Sequence, residues 1–136
     1  MSSNSLSEAR KYLQGALTLG LPEDWVITDI EKAGETFRKL TVTYEQGDIV
    51  ASISGGELPP GVIGLEFTLS LITPEKDGDK ALTRLGDAAV ELAFLLDSLP
   101  QLVWDNGSRF RLESGESGYR FPITVLVTYS PAPEEE

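Results

Sequence analysis

The 136-residue chain contains no cysteine and no histidine. Without cysteine it can form neither a disulfide nor a thiolate nucleophile. Without histidine it lacks the commonest general base and the commonest transition-metal ligand, which excludes Ser-His-Asp triads, Cys-His dyads and ordinary zinc sites. Only carboxylates, lysine, tyrosine and serine could do chemistry, and their spacing indicates no catalytic group. We therefore expect a protein that is not an enzyme and holds no cofactor or metal.

Long hydrophobic runs are also missing. No segment approaches the roughly 18 apolar residues of a membrane-spanning helix, and the first ten residues have neither the basic nor the apolar region of a secretory signal. We therefore expect a soluble protein that is made in a cytoplasm and has no membrane partner.

Positive charge is scarce. Lysine and arginine total 11 against 22 aspartates and glutamates, so the formal net charge is −11. A chain this acidic is repelled by nucleic-acid phosphates and by anionic membranes. The charge either serves solubility alone or allows the protein to sit near DNA without binding it.

Two segments have the apolar periodicity of amphipathic helices. The first is predicted from about Leu6 to Leu19. Ser5 and Glu8 have the spacing of a capping box at its start, and Gly20 is predicted to end it in the left-handed conformation. The second helix is predicted from about residue 80 to residue 99. Its core-facing positions are Leu82, Leu85, Ala89, Leu92, Leu96 and Leu99.

Strands are expected at about 25–28, 40–44, 49–53, 65–71, 103–113 and 119–129. Residues 46–48 are predicted to be the turn of a hairpin whose threonine-rich face is exposed to water. The loop at 55–61 is predicted to lie at the surface, because its two glycines and two prolines do not suit a central strand. In the strand near residue 110, Phe110 is predicted to point toward the core.

These elements predict a single α+β domain over residues 1–136, with flexible tails at 1–4 and 131–136. Its sheet is mixed or antiparallel and has about five to six strands. Two helices pack on one face, in the order α-β-β-β-β-α-β-β. The glycine-rich and acidic segments match neither a phosphate-binding loop nor a calcium-binding loop.

Val90 and Phe94 lie outside the core-facing stripe of the second helix. As an i, i+4 pair on its polar half, they are either covered by the first helix or a loop, or they contact a neighbouring subunit.

Four residues near the last turn form a second candidate interface. Arg109 and Arg111 alternate along one strand, where ion pairing on the sheet surface is expected more than nucleic-acid binding. Both are also candidates for contact with another subunit or partner. Tyr119 and Arg120 follow the turn, and both residue types are enriched at binding hot spots.

The order of elements resembles the tail terminator (tail completion) proteins of long-tailed bacteriophages of the siphophage type. The resemblance is carried by the helices SLSEARKYLQGALTL and LTRLGDAAVELAFLLDSLP and by the closing strand YRFPITVLVTY. It implies a structural virion protein of the tail and neck, assembled in the host cytoplasm. Such a protein forms a ring, commonly a hexamer, that ends the tail tube and docks to the head completion (stopper) protein. The implied partners are other copies of the chain, the major tail tube protein and that head protein, while DNA passes through the lumen without specific binding.

Two other functions stay open at this point. A secretion or effector chaperone is also small, acidic and α/β, and it would form a twofold dimer with an apolar patch for its client. A small carboxylate-based enzyme would need a buried acidic pair in a cleft.

Overall fold

The computed structural model describes residues 6–30, 39–53, 56–76, 79–113 and 115–128. Within these residues two helices and eight strands follow one another. They are α1 (Leu6–Gly20), β1 (Val26–Asp29), β2 (Thr41–Val50), β3 (Ser52–Ile53), β4 (Gly56–Glu57), β5 (Val62–Lys76), α2 (Asp79–Ser98), β6 (Leu102–Trp104), β7 (Ser108–Arg111) and β8 (Glu116–Thr128). The predicted α+β fold class is confirmed. The expected tails at 1–4 and 131–136 lie outside the described residues.

The main sheet has six strands in the order β1-β2-β5-β8-β6, with β7 also paired to β8. β1 runs parallel to β2, and the other pairs are antiparallel. β6 and β7 lie end to end along β8, opposite residues 123–125 and 117–120. Together they form the sheet edge farthest from β1. β3 and β4 pair with each other in a separate ribbon.

The core lies on one face of this sheet. Alternate residues of β5 point into it, and Leu65, Phe67, Leu69 and Leu71 are all at most 4% exposed. Directly opposed residues of an antiparallel pair share a face, so the buried residues of β8 join them. Both helices pack on this same layer, as predicted, because their buried side chains belong to one cluster. They are Ala9, Leu13 and Leu17 of α1 and Leu85, Ala88, Ala89, Leu92 and Leu96 of α2.

Polar contacts hold α1 over the β1–β2 edge of the sheet. The Tyr44 hydroxyl donates to Oε1 of Gln14 at 2.6 Å, and Nε2 of Gln14 donates to the carbonyl of Ile27 at 3.2 Å. Arg10 donates to Oε1 of Gln46 at 2.6 Å. The side chains on the polar half of α1 thus fix its position without entering the core.

The predicted hairpin at 46–48 is wrong. β2 continues through these residues, and its register against β5 shifts between Gln46 and Ile49. Two residues, 47 and 48, therefore lie opposite the single residue Glu66, which is a β-bulge. The long partner strand β5 supplies ladder hydrogen bonds on both sides of the bulge, so the local turn signal loses to sheet pairing.

The threonine-rich face of β2 is also buried rather than exposed. Thr41 and Thr43 are 4% and 2% exposed, and the Thr41 hydroxyl donates to the carbonyl of Lys39 at 2.9 Å. Threonine suits a buried pleated surface because its methyl group packs while its hydroxyl finds a nearby carbonyl.

Gly20 has a different role from the predicted one. Left-handed φ values occur among the described residues only at Gly56, Gly61 and Gly115. Gly20 is instead the last residue of α1, where an added Cβ would clash with Cδ1 of Leu95. Gly20 therefore lies against the Leu95 side chain of α2, which an added Cβ would displace. The predicted cap at Ser5 lies outside the described residues.

Candidate interaction surfaces

The solvent side of α2 carries an exposed apolar pair. Val90 is 55% exposed and Phe94 is 73% exposed, whereas Leu92 and Leu96 of the same helix are completely buried. Neither α1 nor a described loop covers the pair. α2 therefore has one apolar stripe that packs in the core and a second, smaller one that is exposed to solvent.

Beside this pair lies a groove of about 300 Å³ between α2 and the edge strand β6. We call it the α2–β6 groove, and its lining residues are Val90, Ala93, Phe94, Asp97 and Trp104. The Trp104 indole is held from behind by Phe121, with the rings edge-on at 6.0 Å. The described lining therefore combines two aromatic rings with one carboxylate and has no basic side chain.

Sequence reasoning missed two walls of this groove. They are Trp104 and Asp97, which are not among the interface residues predicted from the sequence. They come together because β6 pairs with β8 in a register that sets Trp104 opposite Ile123. No local pattern carries that register.

The other four predicted interface residues meet in the β7–β8 hairpin. Arg109 lies opposite Tyr119, and Arg111 lies opposite Ser117. Both arginines are exposed. Tyr119 is half-buried against the core, and its ring centroid lies 6.5 Å from that of Phe121. Along β8, the positions that Arg109 and Trp104 face are four residues apart, about 13 Å, so this hairpin and the α2–β6 groove are separate patches on one edge of the sheet.

The prediction that Phe110 points toward the core is wrong. Phe110 lies opposite Gly118 on the other face of the sheet, where Arg120 covers it with its guanidinium carbon 4.3 Å from the ring centroid. A Cβ on Gly118 would lie 2.7 Å from the Phe110 ring and 2.5 Å from the carbonyl oxygen of Leu71. The Phe110 side chain thus occupies the space beside Gly118 that a larger residue would fill. Arg120 makes a cation–π contact within its own chain.

The same face of the sheet contains a cavity of about 390 Å³. Asp48, Glu66 and Asp105 line it together with Val103 and Pro122, and the described lining includes no lysine or arginine. This surface repels phosphate. Within the described residues no group of three or more acidic side chains is arranged to hold a metal ion, and no helix is long and apolar enough to cross a membrane.

Two tyrosines have perturbed acidity, and both belong to the fold rather than to these surfaces. Burial raises the pKa of Tyr44, helped by the negative charge of Asp29 and opposed by Arg10. Burial also raises the pKa of Tyr12, with a smaller lowering from the Gln101 backbone. The Tyr12 hydroxyl has no well-formed hydrogen bond among the described residues.

Comparison with known proteins gives a likeness in structure only. No protein-family model and no curated protein matches the chain. A similar solved structure is the sheath/tube terminator of an extracellular contractile injection system (PVC) in the extended state, with a TM-score of 0.43 and 9% identity. The match covers 100% of this chain and 63% of that one, so the chain spans less than two thirds of its length. Similarity at this level carries no inference about function.

Proposed function

We propose that the chain is a structural subunit of a phage-type tail. Copies of it form a ring, commonly six in the family that the sequence resembles, at the head-proximal end of the tail tube. The ring stops polymerisation of the major tail tube protein and offers a docking face to the head completion protein of the neck. The protein then acts in the virion, after assembly in the host cytoplasm, with DNA passing through the lumen without specific binding.

The exposed Val90–Phe94 pair is the observation that carries this proposal. A phenylalanine that is 73% exposed contributes little to folding, and together with Val90, Ala93 and Trp104 it forms a contiguous apolar patch of the kind that contacts another molecule. A closed ring requires a head-to-tail interface, in which a patch on each subunit meets a different patch on the next. The groove beside Phe94 and the separate β7–β8 hairpin are two different patches of this kind.

The acidity of the chain also supports a role next to DNA. The described face with Asp48, Glu66 and Asp105 carries negative charge on a concave surface, and phosphate is repelled from such a surface. DNA could therefore move past the ring without sticking to it.

The test is assembly in solution and on tail tubes. Light scattering and sedimentation over a wide range of protein concentration measure the size of the assembly, and electron microscopy with purified tail tubes locates it. We expect a ring in solution or at one end of each tube. Phe94→Asp should retain the circular dichroism spectrum and lose the ring. A discrete twofold dimer at every concentration, with bare tube ends, would refute the proposal.

A dimeric chaperone is the second candidate, because the α2–β6 groove could accept an apolar side chain of a client. That function predicts a stable twofold dimer that binds unfolded client segments and does not bind tail tubes. The same sedimentation and microscopy experiments separate the two functions.

A further inference from the structure

One arginine of the β7–β8 hairpin stands apart from the others. Four of the five described arginines have an interaction within the chain; they are Arg10, Arg84, Arg111 and Arg120. The Arg109 side chain is exposed on the edge strand β7 and has no hydrogen-bond, ion-pair or aromatic partner among the described residues. An edge strand displays its side chains and its free backbone groups to whatever approaches that edge.

The α2–β6 groove has the chemistry that an arginine side chain fits. Phe94 and Trp104 offer aromatic surface, and Asp97 supplies a carboxylate beside them. A guanidinium group stacks on aromatic rings and pairs with a carboxylate at the same time. It also stays charged at every accessible pH, and it is more weakly hydrated than the ammonium group of lysine, so it enters a partly apolar groove more readily.

The groove cannot be filled by the Arg109 of its own chain. Along β8 the two patches are about 13 Å apart, and Arg109 is not among the residues that line the groove. An arginine that enters this groove would therefore come from another molecule. A second copy of the chain carries the complementary positive charge, since its own Arg109 is exposed on the edge strand β7.

We propose that Arg109 of one copy enters the α2–β6 groove of the neighbouring copy, where it stacks on Phe94 and Trp104 and pairs with Asp97. This contact rests on the ring assembly proposed above and names the surfaces that form it. Donor and acceptor are different patches, so each copy gives its arginine to one neighbour and receives one from the other, as a head-to-tail ring requires. In a chain with a net charge of −11, one specific attraction between opposite charges also sets which surfaces meet.

A double-mutant cycle on the full chain tests the contact. Arg109→Gln and Asp97→Asn each remove one charge from an exposed residue, and each should weaken assembly about tenfold in sedimentation experiments. The variant with both changes should also be about tenfold weaker, not a hundredfold, because the second change removes a partner that has already been lost. Circular dichroism should show all three variants folded.

Charge reversal gives the second arm of the experiment. Arg109→Asp alone and Asp97→Arg alone should not assemble, because each presents like charges at the contact. An equimolar mixture of the two should assemble, because every contact then joins one acidic and one basic side chain. Matched controls are Asp87→Asn on the same helix but outside the groove lining and Lys11→Gln on α1, and both should assemble like the unmodified chain.

The outcomes separate this contact from the ring itself. Ring assembly that is unaffected by Arg109→Gln and Asp97→Asn, or effects that multiply in the double variant, would overturn the contact and leave the ring standing. Coupled effects in a twofold dimer would retain the contact and overturn the ring. A chain that stays monomeric at all concentrations and on tail tubes would overturn both.

Discussion

Truncating Phe94 to alanine should separate folding from assembly. About a quarter of the side chain is buried in the monomer, since it is 73% exposed. A fully buried phenylalanine covers about 150–250 Å², so at about 25 cal/mol per Å² the monomer should lose only about 1 kcal/mol. Burial of the remaining surface against another copy would contribute about 3 kcal/mol, which is roughly a hundredfold in the dissociation constant. Urea unfolding measures the first quantity, and sedimentation across a concentration series measures the second.

Leu19→Ala is the matched control for this experiment. Leu19 is 90% exposed on α1 and lines no described cavity, so its loss should change neither unfolding nor assembly. If Phe94→Ala destabilised the monomer by 3 kcal/mol or more, the side chain would belong to the core. If it assembled as well as Leu19→Ala, the exposed pair on α2 would have no part in the interface.

Three further predictions concern the fold. Tyr44→Phe removes a hydrogen bond and should lower the free energy of unfolding by about 1 kcal/mol in urea titration. Tyr12→Phe removes a buried hydroxyl that has no well-formed hydrogen bond among the described residues, and it should leave the free energy of unfolding unchanged or raise it. Because the pKa of both phenols is raised above the ordinary value of 10.0 in the folded chain, the unfolded chain loses these protons first as pH rises. The unfolding free energy should therefore fall above about pH 10, and less so in the variant with both changes; an equal fall would contradict the assignment. Gly118→Ala places a Cβ 2.5 Å from the Leu71 carbonyl oxygen and should lower the free energy of unfolding by about 1–3 kcal/mol. Gly15 has open space around it, so Gly15→Ala should stabilise α1 by about 0.5–1 kcal/mol. A higher melting temperature for Gly118→Ala than for Gly15→Ala would contradict this packing.

The helices and the central strand were predictable because their signals are local. The stripe of α2 recurs at three- and four-residue spacing, and the buried face of β5 alternates without interruption from Leu65 to Leu71. In both elements the residues that form the structure are neighbours in the chain. Periodicity alone then determines which side faces the core.

The wrong predictions all involve a distant partner. Residues 46–48 form a bulge because β5 continues past them, and Gly20 lies against the Leu95 side chain of α2. Phe110 faces away from the helices because the hairpin register sets it opposite Gly118. The sequence patterns were a turn-forming segment at 46–48, a glycine at the end of a helix and an alternating strand around Phe110. In each case contacts with residues distant in the sequence determined a different structure.

The candidate interface likewise has one part that local sequence patterns predicted and one part that depends on distant residues. Its exposed half, Val90 and Phe94, followed from a helical wheel, since both residues fall outside the core-facing stripe. Its other half required the β6–β8 register that brings Trp104 beside α2. An exposed apolar residue on a helix can therefore be predicted from sequence, while the groove that it borders depends on the assembled sheet.

A net charge of −11 is compatible with self-assembly because the repulsion between acidic copies and the attraction at the proposed contact act over different distances. A compact domain of this length has a radius of gyration of about 14 Å, so neighbouring subunit centres lie roughly 30 Å apart. The Debye length at physiological ionic strength is about 8 Å, so the repulsion between charges far from the contact is largely screened. A guanidinium group seated against two aromatic rings and a carboxylate interacts within about 4 Å and is screened far less. In the proposed assembly the acidic surplus would thus remain on the surfaces that face phosphate, while the short-range contact at Arg109 would join one copy to the next.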